Sequence, residues 1–70
     1  MSKRKEITER LAETVNGPHF RRFDDADEAN EACREMTHGR IVVTDAFYAV
    51  MGLHRAKYAA DAGLDVRKLV

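Results

Sequence analysis

The side chains best suited to metal binding in this sequence are one cysteine and three histidines. Zinc sites usually contain closely spaced pairs such as Cys-x-x-Cys or His-x-x-x-His. Cys33 has no second thiol to pair with, and His19, His38 and His54 stand far apart along the chain. No glycine-rich phosphate-binding loop is present either. The sequence therefore predicts no metal site and no cofactor.

Cys33 is also the only thiol that could act as a nucleophile. In a helix over residues 25–37 it lies on the same side as Ala29 and Met36, a narrow apolar face that is expected to be buried. A catalytic cysteine requires a base or a positive charge beside its thiolate, whereas the residues around Cys33 are mostly acidic. We therefore predict that Cys33 is buried, that the chain has no catalytic residues and that the protein is not an enzyme.

The strongest charge pattern is an acidic segment. Residues 24–35 carry six acidic residues and one basic residue, a net charge of −5. In the helix over residues 25–37, most of these acids fall on the side opposite to Cys33. We assign partner binding to five of them, Asp24, Asp27, Glu28, Glu31 and Glu35. Such a surface can attract a basic region of another protein. The commoner role of an acidic stripe, a solvated helix face, remains the alternative.

A second pattern lies near the C-terminus, where residues 44–63 resemble a helix-turn-helix unit in their spacing. An inter-helix core would be formed by Phe47, Met51, Leu53 and Tyr58. Gly52 would form the turn. The recognition helix would begin with His54, Arg55 and Lys57, which are the possible nucleic-acid contacts.

This resemblance is incomplete. Tyr48 stands where helix-turn-helix proteins usually have a small residue, and Asp61 replaces an expected apolar residue. The alternative is one amphipathic helix from Ala46 to Ala62, capped by Asp45, that tolerates Gly52 at a cost of about 1 kcal/mol.

The elements that would position these residues can be read from the apolar periodicity. It predicts helices over residues 3–15 and 25–37, followed by the segment from 46 to 62. Two short strands are predicted over residues 19–23 and 40–44. The fold class is therefore α+β, in the order helix-strand-helix-strand-helix, with both strands covered by helices. A mostly helical domain is the alternative. The helix between the strands is long enough to permit a parallel crossover.

Length and composition restrict the class of protein further. Seventy residues make one small domain, residues 1–70, whose core rarely supplies more than about 3–5 kcal/mol of stability. We therefore expect a homodimer or docking onto a partner. Twelve basic and twelve acidic residues give no net charge, whereas nucleic-acid binders usually have a basic excess. No segment resembles a membrane span or a secretory signal, and a single cysteine suits a reducing compartment, so we expect a cytoplasmic protein.

Two functions follow as hypotheses. The first is a non-enzymatic protein-binding module, a small regulator or inhibitor that acts on a larger protein machine through the acidic stripe. An inhibitor encoded by a virus or a mobile element would have this size and charge pattern. The second is a DNA-binding transcriptional regulator that uses residues 45–63. The sequence matches no family with specificity.

Overall fold

The computed structural model describes residues 3–67, and over this range the chain forms three helices and four strands. In chain order the elements are α1 (Lys3–Glu13), β1 (Phe20–Phe23), α2 (Ala26–Glu35), β2 (Gly39–Val43), β3 (Tyr48–Gly52), α3 (Leu53–Asp61) and β4 (Asp65–Arg67). The α+β class is confirmed, with two more strands than the sequence predicts. No helix within this range is long and apolar enough to cross a lipid bilayer.

The four strands form one antiparallel sheet in the order β1-β3-β2-β4. β1 and β2 run in the same direction with β3 between them, so α2 connects parallel strands that are not paired. α3 likewise connects β3 to β4 across β2. The connection through α2 leaves from β1 and the connection through α3 leaves from β3, and these two strands run in opposite directions. Both connections cross the sheet in the same direction, from the β1 edge toward the β4 edge. A common right-handed sense therefore places α2 and α3 on opposite faces.

Each face of the sheet has its own apolar cluster. On the face covered by α1 and α3, Val42 and Met51 are buried in one cluster. On the face covered by α2, Ile41 and Val50 are buried in the other. Residues adjacent in sequence are thus buried on opposite faces, which explains why β2 and β3 have continuous apolar runs instead of alternating ones.

The helices contact the sheet through small residues. α2 buries Ala29, Ala32 and Cys33, and α3 buries Ala56 and Ala59. Because these side chains are short, the helix backbones approach the sheet closely and little apolar volume fills the space between them. The core is correspondingly thin for three layers of structure.

The structure corrects the helix expected from Ala46 to Ala62. Tyr48–Gly52 forms the buried strand β3, and only Leu53–Asp61 is helical. The helix-turn-helix unit predicted over residues 44–63 is therefore wrong, because a strand occupies the place of its first helix. The segment reads equally well as a buried strand, since short apolar runs have no distinct periodicity.

Thr44 turns the chain between β2 and β3. Its N–H donates to the carbonyl oxygen of Phe47 at 3.0 Å, and its hydroxyl oxygen accepts from the N–H of Phe47 at 3.0 Å. The hydroxyl also accepts from the N–H of Ala46 at 3.2 Å. These bonds close a hairpin, so Asp45 lies in a loop and does not cap a helix as predicted.

Gly52 is the residue at which β3 ends and α3 begins. It has an extended backbone, with φ −70° and ψ 159°, and as the N-cap it provides no side-chain hydrogen bond to the first turn. A Cβ atom there would meet nothing within 4 Å. We expect Gly52→Asp to raise the free energy of unfolding by about 0.5–1 kcal/mol, through a new N-cap bond and the helix dipole. Urea denaturation measures the gain, and Gly52→Ala, which adds no acceptor, should show none.

α1 is held to the rest of the fold by few contacts. It has no fully buried residue, and its half-buried Ile7 and Leu11 pack against the cluster under α3. The Arg22 guanidinium of β1 donates to the carbonyl oxygens of Leu11, at 2.8 Å, and Thr14. Carbonyls at the end of a helix have no partner within the helix, so Arg22 caps α1 from the sheet.

Loss of this cap should release α1 without unfolding the sheet. Charged hydrogen bonds of this kind contribute about 1.5–3 kcal/mol, and Arg22→Ala removes two of them. We expect amide hydrogens of residues 7–13 to exchange at least about tenfold faster, because 1.4 kcal/mol corresponds to a factor of ten. Amides of β2 and β3 should keep their protection. Arg21→Ala, at an exposed neighbouring position, is the matched control, and equal effects of both variants would contradict the capping role.

Candidate protein-binding surface

The five acids predicted to bind a partner all lie on or beside the outer side of α2. Asp25 is the N-cap of the helix, where its Oδ1 accepts from the N–H of Asp27 at 2.8 Å. The opposite side of α2 packs on the sheet, so its periodicity directs the acids outward. All five side chains are exposed, and we call them the acidic surface: Asp24, Asp27, Glu28, Glu31 and Glu35.

The carboxylates of the acidic surface have no salt-bridge partner within residues 3–67. The helix dipole favours acids in the first turn, which contains Asp27 and Glu28. Glu35 is the last residue of α2, where the dipole disfavours a negative charge. Helix stability therefore accounts for the first acids of this surface but not for the last.

The predicted nucleic-acid contacts lie on the other side of the molecule. His54, Arg55 and Lys57 are exposed in the first two turns of α3. His54 and Lys57 line a groove beside Arg40 of β2. Arg40 is the first residue of the strand predicted over residues 40–44, but it is not among the predicted contacts, since its place beside α3 depends on the fold.

The sheet therefore separates an acidic side from a basic side. α2 carries the acidic surface, whereas α3 carries the exposed cations on the opposite face. A helix is about 10 Å wide with its side chains, and charges in solution are screened beyond about 8 Å at physiological ionic strength. The two sides consequently present different electrostatic surfaces, which meet at the end of the sheet where Glu35 shares a depression with His54 and Arg55. This separation exists even though the formal net charge of the chain is zero.

The three histidines come together although they are distant in sequence. His19, His38 and His54 line one open depression at the end of the sheet, together with Glu35 and Arg55. Among the described residues, no group of three or more histidine, cysteine, aspartate or glutamate side chains has the arrangement of a metal site. The fold therefore brings together polar side chains whose proximity could not be predicted from their spacing in the sequence.

Cys33 occupies the place that the sequence predicts. Its side chain is buried, with 3% of the residue exposed, in the cluster between α2 and the sheet. It lies close to Gly39, where a Cβ atom would come within 3.1 Å of the sulfur. Burial of Cys33 is thus confirmed, and its position is that of a small packing residue.

Comparison with known proteins identifies no relative. No protein-family model matches the chain, and the searches of curated proteins and of solved structures found no match.

Proposed function

We propose that this protein is a non-enzymatic protein-binding module, a small regulator or inhibitor that contacts a larger protein through the acidic surface. The observation that carries the proposal is the set of exposed carboxylates on and just before α2, none of which forms a salt bridge within residues 3–67. Glu35 extends this set to the last residue of α2, where the helix dipole disfavours a negative charge. Binding of another protein would account for acids that do not stabilise the helix.

The partner that suits this surface is a protein with a basic patch. Complementary charge increases the rate of association and selects against acidic partners. Because the acids are exposed, their attraction is screened by salt. Binding should therefore weaken as the ionic strength rises, and most of that change should be in the association rate.

A second candidate function, DNA binding, is favoured by the exposed cations of α3. His54 and Lys57 share a groove with Arg40, and such a groove could contact phosphates. One helix beside a strand replaces the predicted two-helix unit, so base-specific reading by a recognition helix has no support. If DNA binds, Arg55→Ala and Lys57→Ala should each lower the salt slope by about one unit.

Affinity capture from cells of the source organism tests the two functions together. Tagged full-length protein is incubated with lysate at low and at high salt, and both protein and nucleic acid in the eluate are quantified. We expect one protein in stoichiometric amount at low salt, with less at high salt. Recovery of nucleic acid alone would contradict the proposal and favour the second candidate.

A further inference from the structure

The two edges of the sheet differ in whether their backbone groups have partners. At β1, the outward carbonyl oxygen of Phe20 accepts from the N–H of Gly17 at 2.8 Å. The outward N–H of Arg22 donates to Oδ1 of Asn16 at 3.2 Å. The segment before β1 therefore covers this edge, which prevents another strand from pairing there.

The outer edge of β4 has no strand beside it among the described residues. The bond from the Thr44 N–H to the Phe47 carbonyl fixes the alternation of bonded pairs between β2 and β3. The backbone N–H and C=O of Val42 therefore point toward β3, and those of its neighbours Ile41 and Val43 point toward β4. Their partners in β4 are Arg67 and Asp65, so the N–H and C=O of Val66 point outward.

The side chains of β4 complement a second copy of the same strand. In an antiparallel pair centred on Val66, Asp65 of one copy stands opposite Arg67 of the other, twice by symmetry. The Asp65–Arg67 pairs are non-hydrogen-bonded pairs of the antiparallel ladder, in which the side chains of the two strands approach most closely. Asp65 and Arg67 are both exposed, and within one chain their Oδ2 and Nε atoms are 3.2 Å apart. Asp65 and Arg67 can thus exchange the ion pair within one chain for ion pairs with the second copy.

We propose that β4 is a self-association edge, through which two copies of this protein join their sheets about a two-fold axis at Val66. Symmetric backbone bonds between the two Val66 residues and two Asp65–Arg67 pairs define the interface. This inference goes beyond the proposed function and uses other residues, since the acidic surface lies on α2.

The charges of β4 also select this register against its neighbours. Centring the pair on Asp65 would place two aspartates opposite each other, and centring it on Arg67 would place two arginines opposite each other. Like charges directly opposite destabilise a strand pair. The register centred on Val66 is the one in which every charged pair is attractive. Short length and charge generally discourage pairing at an edge strand. Pairing at β4 is therefore limited to the one register in which its charges attract each other.

The α3 face beside β4 contributes apolar contact to the same arrangement. Val66 is half-buried and packs against the cluster that contains Val42. Beside it, Leu53 and Ala60 of α3 line the apolar part of a groove, and Leu53 is 42% exposed. Joining two copies at β4 places the Val66 side chains together and brings the two grooves to the axis. The same grooves contain Arg40 and Lys57, whose like charges oppose the association. The area is small for a stable dimer, so we expect rapid and reversible association.

Sedimentation velocity of the full chain tests the proposal at concentrations from about 10 µM to about 1 mM, the range for an interface of this size. We expect a monomer–dimer equilibrium for the wild type. Asp65→Arg and Arg67→Asp each place like charges opposite each other in two pairs. Each variant should weaken dimerisation about tenfold or more. An equimolar mixture of the two restores both attractive pairs and should form a heterodimer.

The mixture separates an effect on the interface from an effect on folding. Circular dichroism confirms that each variant is folded before mixing. The proposal is overturned if the wild type stays monomeric at the highest concentration, if either single variant dimerises as the wild type does, or if the mixture remains monomeric. None of these results depends on whether the acidic surface binds a partner, so failure here leaves the proposed function to its own test.

Discussion

Replacing Gly39 with alanine is expected to lower the free energy of unfolding by about 1–3 kcal/mol, the range for overpacking a close contact. A Cβ atom at this buried position would lie 2.9 Å from the carbonyl oxygen of Cys33 and 2.9 Å from the Cβ of Met36. Neither neighbour is the end of a flexible side chain, so the end of α2 and the start of β2 must separate. A domain of this size has only about 3–5 kcal/mol in total, and much of it would be lost. Urea denaturation followed by circular dichroism measures the change.

The matched control for this variant is Gly52→Ala. A Cβ atom at Gly52 meets nothing within 4 Å, and its φ of −70° suits alanine. Because Gly52 is the N-cap of α3, where alanine is less favourable than glycine, we expect a loss of about 0.5 kcal/mol, well below that of Gly39→Ala. Similar losses for both alanine variants would show that close packing of α2 against β2 is not what requires glycine at position 39.

Reversing charge on the acidic surface is expected to abolish partner binding. The triple variant Glu28→Lys, Glu31→Lys, Glu35→Lys replaces three exposed acids and turns attraction to a basic patch into repulsion. Like charges placed together at an interface cost several kcal/mol, so affinity for the captured protein should fall at least about a hundredfold, given a factor of ten for each 1.4 kcal/mol. Exposed substitutions change stability by about 0.5 kcal/mol or less each, so the variant should remain folded. Isothermal titration calorimetry with the captured protein measures the affinity.

A control with the same change in net charge distinguishes a local surface from a general charge effect. Glu9→Lys, Glu13→Lys and Asp45→Lys replace three acids that are also exposed but lie on α1 and in the hairpin loop. This triple variant should bind within about threefold of the wild type, since distant charges are screened at physiological salt. If it loses as much affinity as the α2 variant, the acidic surface has no special role.

The α2 region could be predicted from sequence because its information is local. Asp25 has the residue type of an N-cap, and the acids and small residues repeat with helical periodicity. Exposure of the acids and burial of Cys33 follow from that periodicity alone. The strands over residues 20–23 and 39–43 were likewise recognisable, since their type and length are local properties.

β3 could not be recognised in the same way. Its sequence, Tyr48–Gly52, is a short apolar run that is buried on both faces, which carries no alternating pattern. The hairpin loop before it contains no Asn-Gly or Asp-Gly sequence, the usual signal of a tight hairpin. Thr44 closes the turn instead, with its backbone and hydroxyl groups. Pairing with β2, which is a tertiary contact, decides that this segment is a strand.

The arrangement of the surfaces depends on topology, which local patterns do not contain. Residues of α2 and α3 lie on opposite faces because their connections leave from strands of opposite direction and cross the sheet in the same direction. The capping of α1 by Arg22 joins elements that are separated by a loop. Sequence spacing offers no signal for either relation, so the separation of acidic and basic sides appears only in the fold.

The most direct test of the account is a titration of ¹⁵N-labelled protein with the captured partner, followed by NMR chemical shifts. If the acidic surface is the binding site, the largest shift changes should lie in residues 24–35. The amides of α3 should change little, because the sheet separates that helix from α2. Largest changes at residues 53–58, with residues 24–35 unaffected, would contradict the central claim and place binding on the basic side.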